Sequence, residues 1–221
     1  WYQSHPVIQE QPDPRLRIPF GLHGDDAGMM ANQGVLVVTW GPTAWRQPTL
    51  DSRLVFGMVR TAQVITEEMK TMKVFYKVLQ WSLEALSNGR HPTHDHEDIQ
   101  FSRTHHPARW QKAGQLLTPE GHRGCFSEMR GDWKYLHEAL VLLEHFNALQ
   151  VCHFCRAHKK IRRNLYTDYS QTAHHRQTLV ENRSWMRMML AAVLVSPLLL
   201  IPGFHVWRIF YDIMHTLDLG I

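Results

Sequence analysis

The strongest signal along the chain is a change in the period of its apolar positions. GVLVVTW, residues 34–40, is rich in β-branched residues and is bounded by Gly34 and by Gly41-Pro42, which predicts a strand. LRIPFGLHGDDAG, residues 16–28, is short and apolar with Gly and Asp closing it, and predicts a strand that ends near Gly24. SRLVFGMVR, residues 52–60, predicts a third strand, and short connections between the three imply a meander. From Met69 the period lengthens. Met69, Met72, Phe75, Tyr76, Leu79, Leu83 and Leu86 recur at steps of three and four, the stripe of an amphipathic helix, and Asn88-Gly89 stops it.

The flanking segments are less regular. Residues 1–15 are rich in Pro and Gln and read as an extended lead-in. Residues 90–130 show no clear period and read as loop or insertion. Asp132, after Gly131, is the expected N-cap of a second helix with Trp133, Leu136, Leu140, Leu143 and Phe146 on one face, and capping is preferred to a metal role there. A third helix is expected over about residues 177–195, and a strand over Val206 to Tyr211 that passes into a helix. The apolar stretch 188–204, MMLAAVLVSPLLLIPGF, holds Ser196, Pro197 and Pro202 and sits at the short limit for spanning a bilayer. It predicts a buried helix leading into a core strand rather than a membrane segment.

Composition narrows the class. Hydrophobic residues make up 44% of the chain and charged residues 20%, enough for a sizeable core. A net charge of +4 favours an anionic partner such as nucleic acid, although a slightly basic protein without one fits as well. Three cysteines do not make a disulfide framework, so a reducing, intracellular setting is expected. The chain begins at Trp1 and stops at Ile221 after an apolar stretch, so it reads as an internal piece of a longer protein.

Three clusters carry candidate chemistry. Asp25 and Asp26 lie at the end of the first strand and Asp212 at the end of the last. Clustered carboxylates hold hard cations such as Mg²⁺, and a pair of such ions drives phosphoryl transfer. Asp-Asp-Ala-Gly is also good turn chemistry, and Asp212 also suits a helix N-cap, with His215 one turn beyond it. Cys152-x-x-Cys155 is half of a zinc site; His158 follows at similar spacing, and His174 or His175 offers a further nitrogen, with His175 taken into the ligand set. The alternative is two buried thiols packing as small hydrophobes, the role also expected of Cys125. Lys159, Lys160, Arg162 and Arg163, with Tyr166 and Tyr169 interleaved, would neutralise DNA phosphates, or form an ordinary solvated basic face. HPTHDHED, residues 91–98, approaches a metallo-hydrolase pattern through His94, His96 and Asp98, but Ile99 stands where a histidine is needed.

The segment DIMHTLDLG resembles the D-x-M-H signature, followed by L-G, of CACTA-type and related eukaryotic transposases, which also carry a C-x-x-C element upstream. HGDDAG, VLVVTWGP, WSLEALSNGRHP, RGDWKYL, CHFCRAHK, YTDYSQTAHHRQT and SPLLLIPGFHVWRIFYDIMH resemble, in that order, the transposase-like reading frames of repeat-rich unicellular eukaryotes. The resemblance implies an α/β (α+β) fold: an incomplete RNase H-like core, a mixed sheet with a helical and zinc-binding insertion. In such a core three meandering strands are followed by a helix and by a fourth strand beside the first, and strands one and four carry the first two acids. It divides the chain into residues 1–61 (three core strands), 62–205 (largely helical insertion) and 206–221 (fourth strand and the start of a helix). It makes Asp25 or Asp26 the first acid and Asp212 the second, with His215 orienting it. The third, usually a Glu in a later helix, would lie beyond Ile221, and Asp218 is too near Asp212 to serve. The implied protein is a nuclear DNA transposase fragment, inactive alone, using Mg²⁺ for phosphodiester cleavage and strand transfer and Zn²⁺ for structure. DNA is its partner, a homo-oligomer on DNA is possible in principle, and no membrane is involved. The rivals are a transposon-derived DNA- or protein-binding module without catalysis and, further off, a metal hydrolase.

Overall fold

The computed structural model describes residues 2–30, 33–44, 49–144 and 147–211. Its centre is a five-stranded mixed sheet in the order β3-β2-β1-β4-β5. β1 spans Arg17–Met30, β2 Gln33–Pro42 and β3 Leu54–Arg60, and they form the antiparallel meander that the apolar pattern predicts. A one-turn helix, α2 (Thr49–Ser52), lies between β2 and β3, as the short helix α1 (Pro6–Glu10) lies before β1. The N-terminal segment is therefore not simply extended. Pro6 starts α1, the His5 side chain accepts the Val7 N–H, and Val7 is fully buried.

β1 does not stop near Gly24. Its ladder continues through Asp25, paired with Val37, and Asp26, paired with Leu36. The turn reading of Asp25-Asp26 is thereby overturned: both residues are strand residues.

After β3 comes α3 (Lys70–Asn88), which buries Met72, Tyr76, Leu79 and Leu83, the stripe expected of it. Gly89 ends it in the left-handed region at φ 65°, where its N–H returns to Ala85 and Leu86 carbonyls. The stretch expected to be loop, residues 90–130, holds a short helix, α4 (Pro107–Lys112), and a strand, β4 (Arg123–Gly131). β4 pairs in parallel with β1, from Arg17 opposite Arg123 to Gly24 opposite Gly131. The strand beside the first is thus β4, which lies within the stretch 62–205. A bulge at Ser127 explains why the pattern is faint. Phe20 pairs with Phe126 and Gly21 with Glu128, so Phe126 and Met129 both reach the core although they are three residues apart. The Ser127 hydroxyl secures the bulge by donating to the Phe20 carbonyl at 2.9 Å.

Asp132 caps α5 (Trp133–Leu140) by accepting the Tyr135 N–H at 2.5 Å, as expected. The expected third helix is shorter, α6 (Asn182–Leu190), preceded by a 3₁₀ turn at His174–Thr178. The apolar stretch 188–204 contributes the end of α6 and a second 3₁₀ turn, Pro197–Leu200, rather than a helix feeding a strand. No helix among the described residues is long and apolar enough to cross a membrane. Among the described residues the fifth strand, β5 (Ile209–Tyr211), pairs in parallel with β4, not with β1.

One face of the sheet carries the main core. Phe20, Leu22, Val38, Phe126 and Met129 meet Tyr76 and Leu79 of α3, Leu136 and Leu140 of α5, and the turn residues Leu198 and Ile201. Each fully buried Leu there contributes roughly 1.5–3 kcal/mol. The other face is open at its β3 end, where Val55 and Met58 are more than half exposed.

Candidate carboxylate site at the ends of the parallel strands

Three neighbouring parallel strands share one register row. Gly24 of β1 lies opposite Gly131 of β4, and Gly131 lies opposite Tyr211 of β5. In the sequence each of these residues is followed at once by an aspartate: Asp25, Asp132 and Asp212. Asp212 and His215 lie outside the described residues. Asp25 is placed directly by the β1–β2 ladder, and Asp132 is the residue next to the last β1–β4 pair.

Strand alternation separates the two acids of the Asp25-Asp26 pair. Leu22 and Gly24 face the core helices, so Asp26 shares their face and Asp25 takes the opposite one. Asp26 confirms this by accepting an ion pair from Lys134 of α5 at 2.8 Å. That carboxylate raises the Lys134 pKa. Beside the pair opens a cleft of about 440 Å³, lined by Leu36, Val64, Met69, Met72, Tyr76 and Leu142 among others.

A ring can pack over this row because it carries glycine. A Cβ at Gly24 would stand 2.0 Å from the Tyr135 ring, and one at Gly131 2.4 Å from it. Tyr135 therefore lies over both glycines, and its hydroxyl is buried beside Tyr76; burial raises the pKa of both phenols. The first turn of α5 is thus pressed against β1, with its capping carboxylate at the strand end. Capping occupies Oδ1 of Asp132.

The sheet sets how far apart the strands named for the expected acid pair lie. β4 lies between β1 and β5, so the ends of those strands are two inter-strand steps apart, roughly 9–10 Å. Two oxygens that share a metal ion must lie within about 4 Å, given metal–oxygen bonds near 2.1 Å. Asp132 follows β4, one inter-strand step from β1, with its Oδ1 turned to the start of α5. The sequence favoured a cap over a metal role there, and the strand before it was hidden by the bulge.

Comparison with protein-family models, curated proteins and solved structures gives no match. The site therefore stands on its own geometry. Among the described residues, no group of three or more His, Cys, Asp or Glu is gathered closely enough to hold a metal ion.

The remaining candidates are placed as follows. Cys152 and Cys155 are hydrogen-bonded to each other in one turn; burial and that contact raise the Cys152 pKa, while the hydrogen bond from Cys152 lowers that of Cys155. His158 accepts the N–H groups of Lys160 and Ile161 on Nδ1, at 3.0 and 3.1 Å. His175 has a buried Nδ1 with no hydrogen-bond partner. Lys160, Arg162 and Arg163 are exposed, Lys159 is half-buried, and Tyr166 and Tyr169 are exposed beside them. In the HPTHDHED segment, Asp95 accepts the Glu97 and Ile99 N–H groups and makes a surface turn. His94 and Asp98 approach to 3.7 Å there, with side chains 46% and 85% exposed, so the turn provides no enclosed site.

Proposed function

We propose that this chain is the carboxylate-bearing core of a transposase-like protein that cleaves and joins DNA phosphodiester bonds with divalent metal ions, with Asp25 and Asp132 as paired metal ligands. The observation that carries the reading is the row Gly24–Gly131–Tyr211, with an aspartate next in sequence on each of three parallel strands. A meander, a helix and then a strand parallel to the first is also the order that an RNase H-like core requires. A magnesium ion would supply charge stabilisation of the scissile phosphate and activation of the attacking oxygen. Hard carboxylate oxygens fit that ion. Asp25 is free of the Lys134 ion pair that engages Asp26, and Asp132 keeps one oxygen beyond the one used in capping. Asp212 would add a third carboxylate on the β5 side. Such a protein would act in the nucleus.

The test is metal-dependent nicking of DNA by the full protein that contains this chain. Asp25→Asn and Asp132→Asn should each lower the Mg²⁺- or Mn²⁺-dependent rate by more than about a hundredfold. Asp26→Asn should leave most of it. Nicking that survives Asp132→Asn unchanged overturns the assignment.

A non-catalytic DNA-binding module is the second reading. It is favoured by the exposed basic turn at Lys160, Arg162 and Arg163 together with the lack of an assembled three-ligand group among the described residues. Salt-dependent DNA binding by the full protein without any metal-dependent nicking would select it.

A further inference from the structure

The chain leaves α3 at Gly89 and rejoins the sheet at Arg123, and the excursion between them is knitted at its neck. Arg90 pairs with Leu116 in an antiparallel bridge. Leu117 N–H donates to the Gly89 carbonyl at 2.9 Å, and His91 N–H to the Gln115 carbonyl at 2.8 Å. Further out, Phe101 N–H donates to the Thr93 carbonyl at 2.9 Å. Phe101 is buried, yet it belongs to the excursion and not to the main core. The neck lies against Arg123, which opens β4, whereas the carboxylate row lies where Gly131 closes it.

Between α3 and the excursion is a cavity of about 300 Å³, lined by Trp81, His91, Pro92, Phe101, Arg109 and Lys112 among others. Ligand cavities run from roughly 300 to 1,000 Å³, so this one suits a group the size of a single base. Trp81 stands off the stripe through which α3 buries Met72, Tyr76, Leu79 and Leu83. Its Nε1–H donates to the His94 carbonyl at 2.9 Å, which fixes the indole by its edge and leaves its faces for stacking. The Arg109 guanidinium lies 5.8 Å from the centre of the Trp81 ring and 5.4 Å from that of Phe101, a cation–π arrangement with both rings.

The charge of the cavity has one sign. Arg109 and Lys112 are three residues apart in α4 and share one face of it. Neither is drawn into an ion pair among the described residues. Among those residues no carboxylate lines the cavity. The acids nearby are engaged elsewhere. Asp95 accepts the Glu97 and Ile99 N–H groups, Asp98 faces His94 at 3.7 Å, and Glu84, in the adjoining hollow, accepts the Gln80 amide at 2.9 Å. An aromatic wall, a planar cation stacked on it and an ammonium beside it match a flat π system joined to an anion. A nucleotide has both parts.

We infer that this cavity binds one nucleotide, with its unpaired base stacked against Trp81 and the Arg109 guanidinium and its phosphate on Lys112. Every base has a π face, so stacking of this kind tolerates any base and reads the unpaired state rather than a sequence. A paired base is closed inside its own stack, so a duplex offers the cavity phosphate alone. A free nucleotide and an unpaired stretch of strand share the chemistry. The inference does not rest on the carboxylate site, because it needs neither a metal ion nor cleavage, and either can fail without the other.

The experiment uses the full protein with divalent metal chelated, and fluorescence anisotropy of a short labelled single strand, the same strand made abasic, and its duplex. The base-bearing single strand should bind about tenfold or more tightly than the abasic strand and than the duplex. Arg109→Lys keeps the charge but loses the planar face, and should erase most of that preference. Lys112→Gln should weaken both single strands alike and lower the slope of log affinity against log salt by about 0.7. Trp81→Phe keeps a stacking face and should retain the preference that Trp81→Ala loses, with circular dichroism confirming that both variants fold. Displacement of the strand by deoxyadenosine monophosphate, but not by inorganic phosphate, assigns a free nucleotide as the ligand. A strand preference that the mononucleotide does not compete assigns a base carried in a strand. Equal binding of base-bearing and abasic strands by the wild type, a preference untouched by Arg109→Lys, or displacement by inorganic phosphate as effective as by the nucleotide would each overturn the proposal.

Discussion

The ring of Tyr135 lies against Gly24, where a Cβ would stand 2.0 Å from its Cζ atom. This contact presses the start of α5, and with it Asp132, onto β1 at Gly24. Gly24→Ala should therefore destabilise the protein by about 1–3 kcal/mol through overpacking. Chemical denaturation measures this, and the loss should shrink when Gly24→Ala is made on a Tyr135→Leu background. An equally stable Gly24→Ala variant would mean that the close packing does not exist.

Substitution can separate the capping role of Asp132 from the metal role proposed for it. Asp132→Asn keeps a capping oxygen and should cost only a few tenths of a kcal/mol, whereas Asp132→Ala should cost about 1 kcal/mol. Both should abolish metal-dependent activity. If asparagine restores activity as well as stability, the carboxylate is a cap and nothing more.

The two buried environments of cysteine should differ in reactivity with pH. Burial pushes the Cys125 thiol up to about 11, so it remains protonated across neutral and mildly alkaline pH. Thiolate is the reacting form, and the folded protein should alkylate at Cys125 only slowly at pH 8, with reaction rising as pH approaches 11 or as the chain unfolds. Peptide mapping after timed alkylation reads this out. Fast labelling of Cys125 at neutral pH in folded protein would place that thiol outside the core.

The basic turn should behave as a phosphate contact surface. Lys160→Glu, Arg162→Glu and Arg163→Glu should weaken DNA binding across unrelated sequences. Each lost phosphate contact should reduce the slope of log affinity against log salt by about 0.9. Fluorescence anisotropy over a salt series measures both. Unchanged affinity and slope would leave the turn as an ordinary solvated face.

The sequence made the meander and α3 legible because their periods are clean. GVLVVTW needs no tertiary context to read as a strand, and Met72, Tyr76, Leu79 and Leu83 fall on one helical stripe that the fold buries. β4 was illegible for a definite reason. The bulge at Ser127 breaks its alternation, and its core face offers only Phe126 and Met129 between glycines and arginines. Missing β4 made β5 the expected neighbour of β1. The cap at Asp132 was read correctly, yet its place beside Asp25 depends on strand order, which local pattern does not encode. The cysteine turn was visible as spacing. The difference between His158 and His175 rests on which ring nitrogen is already engaged, and only three-dimensional hydrogen bonding reveals that.

The most direct test of the account is divalent-ion affinity at the strand ends, measured by Mn²⁺ electron paramagnetic resonance on wild type, Asp25→Asn, Asp132→Asn and the double variant. Shared coordination predicts that either single change weakens binding strongly and that the double variant is little worse than either one, a non-additive cycle. Single variants that bind Mn²⁺ as the wild type does, or losses that simply add, would contradict a metal held between Asp25 and Asp132.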